Sequence, residues 1–319
     1  MTVYAIDPTL PPGLPSDGRK AVVTIGMFDG VHRGHREVLS EIRRRAEGVG
    51  GRSVLVTFHP HPLMIVRPEW APPMLTTPVE KKEILAESGL DYAVFLAFTP
   101  MLAAYTPRRF VEEILVERVN VGELVVGYDH RFGKGREGDA DMLKELGAEL
   151  GFAVDVVGPV TSQGEAISST KIRQALLEGD VEAARRGLGR PYSLRGLVVR
   201  GDQRGRTLGF PTANLEVRGG GGEGGKLIPP PGIYAVRGTV RSGTFDGALH
   251  IGPRPTFRGS PPTIEVHLLG FDEDIYGEEV RMDFVKYLRE VRPFNTSEAL
   301  VRQMKEDVEQ AREVLRVTS

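Results

Sequence analysis

Short apolar runs alternate with amphipathic stretches through the first half of the chain. Residues 21–25 (Ala-Val-Val-Thr-Ile) and 53–57 (Ser-Val-Leu-Val-Thr) are continuous, β-branched runs that predict buried strands. Residues 92–98, 123–127 and 153–157 read the same way. Between them lie helical spacings: 36–47, with Val38, Leu39, Ile42 and Ala46 on one face; 78–88, with Gly89 as its stop; 106–118, with Pro107 suited to a first helical position; and 139–150. Strands alternating with helices predict a parallel sheet covered on both faces. Residues 1–20 are polar and proline-rich, without the basic start and apolar centre of a signal peptide.

After residue 157 the pattern changes. Residues 167–173 (Ile-Ser-Ser-Thr-Lys-Ile-Arg) start another helix with Ser168 or Ser169 as N-cap, and a short helix follows Gly179-Asp180. The stretch 187–191 (Gly-Leu-Gly-Arg-Pro) reads as a boundary, giving domains of residues 1–187 and 188–319. Beyond it, short runs at 194–200, 233–240, 245–251, 263–269 and 279–287 are separated by Gly, Pro and Asp turns. That spacing predicts a small antiparallel barrel or sandwich. Gly219 to Gly225 reads as a glycine-rich hairpin loop, and 297–316 as a closing helix capped by Thr296 or Ser297.

A length of 319 residues agrees with two domains. The formal net charge of -2 gives no reason to expect nucleic acid, and Arg43-Arg44-Arg45 reads as a solvated helix face. The absence of cysteine excludes disulfides, thiolate metal ligands and a cysteine nucleophile, and fits a reducing cytoplasm. No run has the length of a transmembrane helix, so the expected location is the cytoplasm, with no membrane partner. The sequence sets no oligomeric state.

Candidate chemistry begins at Gly26-Met-Phe-Asp-Gly-Val-His-Arg-Gly-His35, on a strand-to-helix turn. His32 and His35 share a face at a helix N-terminus, where free N–H groups and the dipole favour an anion. The spacing fits either a phosphate site or a structural turn. Zinc helices space their histidines four apart with a glutamate between. Lys171 and Arg173, on a second helix start, favour the phosphate reading. Nucleotidyl transfer needs such charge and N–H donors, and no protein nucleophile. In the second half, Gly201-Asp-Gln-Arg-Gly-Arg-Thr-Leu-Gly-Phe-Pro-Thr-Ala-Asn-Leu215 is a glycine-rich turn followed by Thr212 and Asn214, hard oxygen ligands suited to Mg²⁺ held with ATP phosphates. The same stretch also reads as a β-hairpin with an ordinary polar strand. On residues 263–269, Glu265 and His267 share a polar face that by pattern alone is merely solvated. No Walker-type lysine loop is present, which excludes a P-loop kinase.

Four motifs in series, 26–35, Thr57-Phe-x-Pro-His-Pro62, Val126-Gly-x-Asp-x-Arg-Phe-Gly133 and 167–173, resemble the adenylyltransferase half of the bacterial bifunctional riboflavin kinase/FAD synthetase family. Residues 201–215, 263–277 and 288–294 resemble its kinase half. The resemblance implies a Rossmann-like nucleotidyltransferase domain followed by a small β-barrel kinase domain with a C-terminal helix. It implies that riboflavin is phosphorylated with ATP to FMN, and FMN adenylylated by a second ATP to FAD with release of pyrophosphate. His32, His35 and Arg173 would act on the ATP phosphates, together with Gly26, Phe28, Asp29, Gly30, Gly34, Ser169, Thr170 and Lys171. Phe58, Pro60, His61, Pro62 and Asp129 would hold flavin in that domain. In the kinase, Gly201, Gly205, Gly209 and Pro211 would face ATP, Thr212 and Asn214 would hold Mg²⁺, Glu265 would be the base, and Arg289 would help enclose the flavin. The small departures are Met27, His130 and a long 219–225 loop. The rivals are a chain with one working activity and a flavin-binding protein that lost catalysis.

Overall fold

The computed structural model describes residues 1–6, 13–14, 17–127, 133, 138–158, 160–162, 164–201, 208–217, 219, 224–252 and 262–317. Asp129, His130, Gly205 and most of the 219–225 loop lie outside them. The chain divides into two compact units, Met1–Ser169 and Thr170–Ser319.

The first unit contains the strands β1 (Thr2–Ile6), β2 (Ala21–Ile25), β3 (Arg52–His59), β4 (Tyr92–Ala97), β5 (Val121–Gly127) and β6 (Ala153–Val157). Its helices are α1 (Arg33–Gly48), α2 (Pro62–Val66), α3 (Pro78–Ala86), α4 (Pro100–Ala103), α5 (Pro107–Phe110) and α6 (Ala140–Leu150). A two-stranded ribbon, β7 (Thr161–Ser162) and β8 (Glu165–Ala166), follows. The six long strands form one sheet in the order β1-β4-β3-β2-β5-β6, with every pairing parallel.

Alternating residues of each strand supply two cores. Ala21, Val23 and Ile25 pack with Val54, Val56, Ile114 and Leu143 on one face. Val22, Leu55 and Phe95 pack on the other with Leu39 and Ile42 of α1 and Leu85 of α3. Each fully buried Val, Leu, Ile or Phe among them contributes about 2 kcal/mol relative to exposure. The sheet order reverses between β2 and β5, and ligands of such sheets bind beyond the strand carboxyl ends at that reversal.

Three details differ from the sequence reading. Thr2–Ile6 is an edge strand on β4; an edge strand needs only one partner, and the proline-rich stretch after it hides its signal. The predicted helix 106–118 is α5 followed by a π-helical stretch, Val111–Val116. Arg43 and Arg44 are exposed, but Arg45 is mostly buried and bonds Glu41 at 2.6 Å and Glu123 and Asp155 at 2.5 Å each, tying α1 to β5 and β6.

The second unit begins with α7 (Ser169–Leu177, its first residue counted with the first unit) and α8 (Val181–Leu188). The strands β9 (Tyr192–Val199), β10 (Ala213–Glu216), β11 (Gly232–Val240), β12 (Gly243–Gly252), β13 (Thr263–Leu268) and β14 (Glu279–Arg289) close into a barrel in the order β10-β13-β12-β11-β14-β9. This settles barrel against sandwich. Ile264, Val266 and Leu268 point into it, while Ala235 and Val285 on the outside pack against Ala311 and Leu315 of α9 (Ser297–Val317).

Candidate active sites

In the first unit, β2 ends at Ile25 beside the reversal of strand order, and the next residues turn sharply into α1. Phe28, Gly30 and Val31 have φ of 48°, 78° and 39°. Gly30 adopts this region freely, whereas a β-branched residue such as Val31 is strained there. The strain is held by packing and polar ties. Phe28 and Val31 are buried in the core under α1. The Asp29 carboxylate is buried and accepts from the Leu75 amide at 3.1 and 3.0 Å, and from the Thr76 amide and hydroxyl at 3.1 Å each. The Gly30 amide in turn donates to Thr76 Oγ1 at 3.1 Å. Asp29→Ala is therefore expected to cost about 3 kcal/mol, because it removes charge-assisted bonds and leaves buried amides unpaired. Calorimetry of the first unit's thermal transition measures this.

His32 is the N-cap of α1; its Nδ1 accepts from the His35 amide at 3.2 Å. The two imidazoles stack with centroids 3.5 Å apart and planes 16° apart. Gly34 makes room, since a Cβ there would stand 3.1 Å from the His32 ring. His35 Nδ1 is sealed from solvent without a hydrogen-bond partner. Burial, then His32 and Lys81, push the His35 pKa well below its ordinary value, so it is neutral at neutral pH. The Ser169 hydroxyl, at the start of α7, donates to the Asp29 carbonyl at 3.0 Å. Thus Gly26, Phe28, Asp29, Gly30, His32, Gly34, His35 and Ser169 gather around one turn. Thr170 and Lys171 are exposed, Arg173 half-buried, on α7 in the second unit.

Phe58, next to the last residue of β3, stands edge-on to Phe98, with centroids 5.7 Å apart. Half-buried Pro60, His61 and Pro62 follow, and His61 Nδ1 caps α2 by accepting from Leu63 N at 3.1 Å. The sequence reading missed Lys81. It sits amid charged residues on α3 and reads as solvated, yet it is buried. Its Nζ donates to the Met27 carbonyl and, at 2.6 Å, to Thr57 Oγ1. Only the distant Met27 and Thr57 reveal this role.

In the second unit, the barrel register places Asn214 opposite Glu265, and Glu265 opposite His250. These three share a row on the outer barrel wall, since their neighbours Val266 and Leu249 point inward. Thr212 Oγ1 donates to Glu265 Oε2 at 3.4 Å. Gly201 lies against the Asn214 side chain so closely that a Cβ would overlap it. Burial lowers the His250 pKa, against a smaller opposing pull from Glu265. A cavity of about 330 Å³ opens beside Pro211 and Thr212, lined also by Asp272, Asp274 and Tyr276. Gly209 is exposed in the turn before Pro211. Arg289, at the end of β14, is engaged by Asp307 of α9 through Nε at 2.7 Å and Nη2 at 2.6 Å. Gln303 Nε2 also donates to Asp307, at 2.9 Å. That pair was not legible, because β14 and α9 are joined only by the fold. The hydroxyl of Thr212, the amide oxygen of Asn214 and the carboxylate of Glu265 are hard donors, fit for a divalent cation held with phosphates. Among the described residues no group of three or more His, Cys, Asp or Glu could hold a metal alone.

A doubly wound sheet with an anion-suited turn at its reversal, joined in sequence to a barrel with a polar outer row, defines a two-domain nucleotide-handling enzyme. The family profile of FAD synthetase matches residues 14–171, and that of riboflavin kinase matches residues 188–315. The chain is 36% identical over 297 residues to the bifunctional riboflavin kinase/FMN adenylyltransferase of Bacillus subtilis, covering 92% of each chain. It is 38% identical over 305 residues to the enzyme of that name from Escherichia coli K12, covering 95% of each. The chain belongs to the bifunctional riboflavin kinase/FMN adenylyltransferase family, and is an enzyme with both of that family's catalytic domains. Enzymes of these two ATP-using classes depend on a divalent metal. A solved structure titled macrolide-efflux protein from Streptococcus pneumoniae has 30% identity and a TM-score of 0.87, covering 98% of this chain and 99% of its own. The efflux in that title does not carry over. Both profiles name flavin enzymes, and among the described residues no helix is long and apolar enough to cross a membrane.

Proposed function

We propose that the two reactions are carried at two separate places, adenylyl transfer by residues 1–187 and riboflavin phosphorylation by residues 188–319. The observation that carries the first assignment is the strained turn at the sheet reversal, with its N–H donors and stacked histidines at the start of α1. There the ATP phosphates meet helix N-terminal amides, His32, and His35 as a neutral N–H donor. The Ser169 hydroxyl donates to the Asp29 carbonyl; Thr170, Lys171 and Arg173, which follow it in sequence, are assigned to the ATP phosphates by the family resemblance alone. The FMN phosphate, ionised at neutral pH, attacks the α-phosphorus, and pyrophosphate leaves, so no protein base is needed. Phe58, Pro60, His61 and Pro62 hold the isoalloxazine.

In the barrel, Glu265 accepts the proton of the riboflavin 5′-hydroxyl as that oxygen attacks the γ-phosphorus of ATP and ADP leaves. Thr212 and Asn214 would hold Mg²⁺, which would neutralise phosphate charge when bound. Gly201, Gly209 and Pro211 shape the ATP approach. Arg289 supports the flavin pocket through its bond to α9. Incubation with riboflavin, ATP and Mg²⁺, followed by chromatography, is expected to show FMN rising first and FAD after it. Riboflavin left unchanged would refute the reading.

A further inference from the structure

We propose that Lys81 is a positioning residue of the adenylyl-transfer site, whose ammonium clamps the Met27 carbonyl to Thr57 and so holds the strained Met27–Val31 turn in the shape that receives a nucleotide phosphate. This rests on the assignment of the ATP phosphates to that turn. A buried ammonium is costly unless it is fully engaged. Here Nζ donates to Met27 O and to Thr57 Oγ1, and the Thr57 hydroxyl donates to the same carbonyl at 3.0 Å. The three groups link the carboxyl ends of β2 and β3 to α3.

The chain builds α3 to deliver this side chain. Thr77 and Glu80 form a reciprocal capping box, and Pro78 takes the first turn. The Asp29 carboxylate fixes Leu75 and Thr76 just before it. The Lys81 ammonium also lies 5.6 Å from the centre of the Phe95 ring, a weak cation–π contact. Met27 itself stands one residue before Phe28, where the left-handed region begins. Releasing its carbonyl frees the start of the turn.

The charged and titratable groups around Lys81 are Asp29, His35 and His32 from the β2–α1 turn, His59 from β3, and Lys82 on the same helix. Burial lowers the Lys81 pKa from 10.5 to about 8, opposed by Asp29. The ammonium is therefore present below that pH and lost as pH rises through it. Burial holds His35 and His59 below their ordinary range, so neither titrates there.

The test follows adenylyl transfer to supplied FMN and reads kcat/KM for ATP from pH 6.5 to 9.5 at saturating Mg²⁺; this ratio reports the free enzyme. The wild-type chain is expected to lose activity on the alkaline side with a midpoint near the value of about 8 for Lys81. Lys81→Gln keeps a donor but not the charge. It should be reduced about tenfold at pH 7 and show no alkaline limb. Lys81→Arg stays charged throughout, so its alkaline limb should also vanish. Riboflavin phosphorylation by the same chain gives the reference rate. A wild-type profile flat through pH 8, or a Lys81→Gln profile matching the wild type, overturns the proposal. The wild-type profile decides even if a variant does not fold. Failure of the underlying site assignment is distinct: it would appear as undiminished FAD formation in His35→Ala.

Discussion

Replacing Glu265 by glutamine is expected to cut FMN formation by about 10³-fold, within the range for removing a general base. The substitution is isosteric and half-exposed, so the thermal transition should barely move. The expectation rests on the row Asn214, Glu265, His250 across β10, β13 and β12. The Glu265 carboxylate accepts from Thr212 Oγ1 at 3.4 Å, and the proposed phosphorylation assigns it the proton of the riboflavin hydroxyl. The amide of glutamine occupies the same volume but cannot accept that proton at neutral pH. Adenylylation of supplied FMN should continue at the wild-type rate, measured chromatographically. Intact FMN formation would mean that the base lies elsewhere.

The second large effect is at the stacked histidines. His35→Ala should lower FAD formation by about 10²–10³-fold, the loss typical of one preorganised donor to a developing oxyanion. His32 needs a different substitution, because it also caps α1. Alanine there would cost about 1 kcal/mol of helix stability and blur the result. His32→Asn keeps a capping acceptor while removing the imidazole. In both variants riboflavin should accumulate as FMN and go no further. Normal FAD yields from both would remove the turn from the adenylyl-transfer site.

How much of this was legible in the sequence depends on the range of the interaction. The strands at 21–25 and 53–57 are buried on both faces, so an uninterrupted apolar run marks them. The histidine pair and its helix start were legible because spacing and capping are local. Asp29 reads from the resemblance as one of the residues at the ATP phosphates; that its carboxylate holds the turn is not legible, since its partners Leu75 and Thr76 are 46 and 47 residues away. Lys81 carried no signal: within Glu-Lys-Lys-Glu on a helix a lysine reads as solvated, and only the fold buries it. Asp307 was silent for the same reason, one acid among many on α9. The π-helical stretch at Val111–Val116 shows no break in apolar spacing that would separate it from an ordinary helix.

Phe28 and Val31 combine two demands at single positions. Each adopts a backbone shape that suits glycine, and each fills the core beneath α1. Glycine would relieve about 1–3 kcal/mol of strain but leave a cavity where the side chain packs, and another bulky residue would keep the strain while changing the fit. Neither direction of change improves both. In a saturation library scored by FAD formation, these two positions should tolerate substitution as poorly as the histidines beside them. An experimenter ranking positions by intolerance alone would count them as chemistry, when what the structure shows is two side chains filling the core beneath α1.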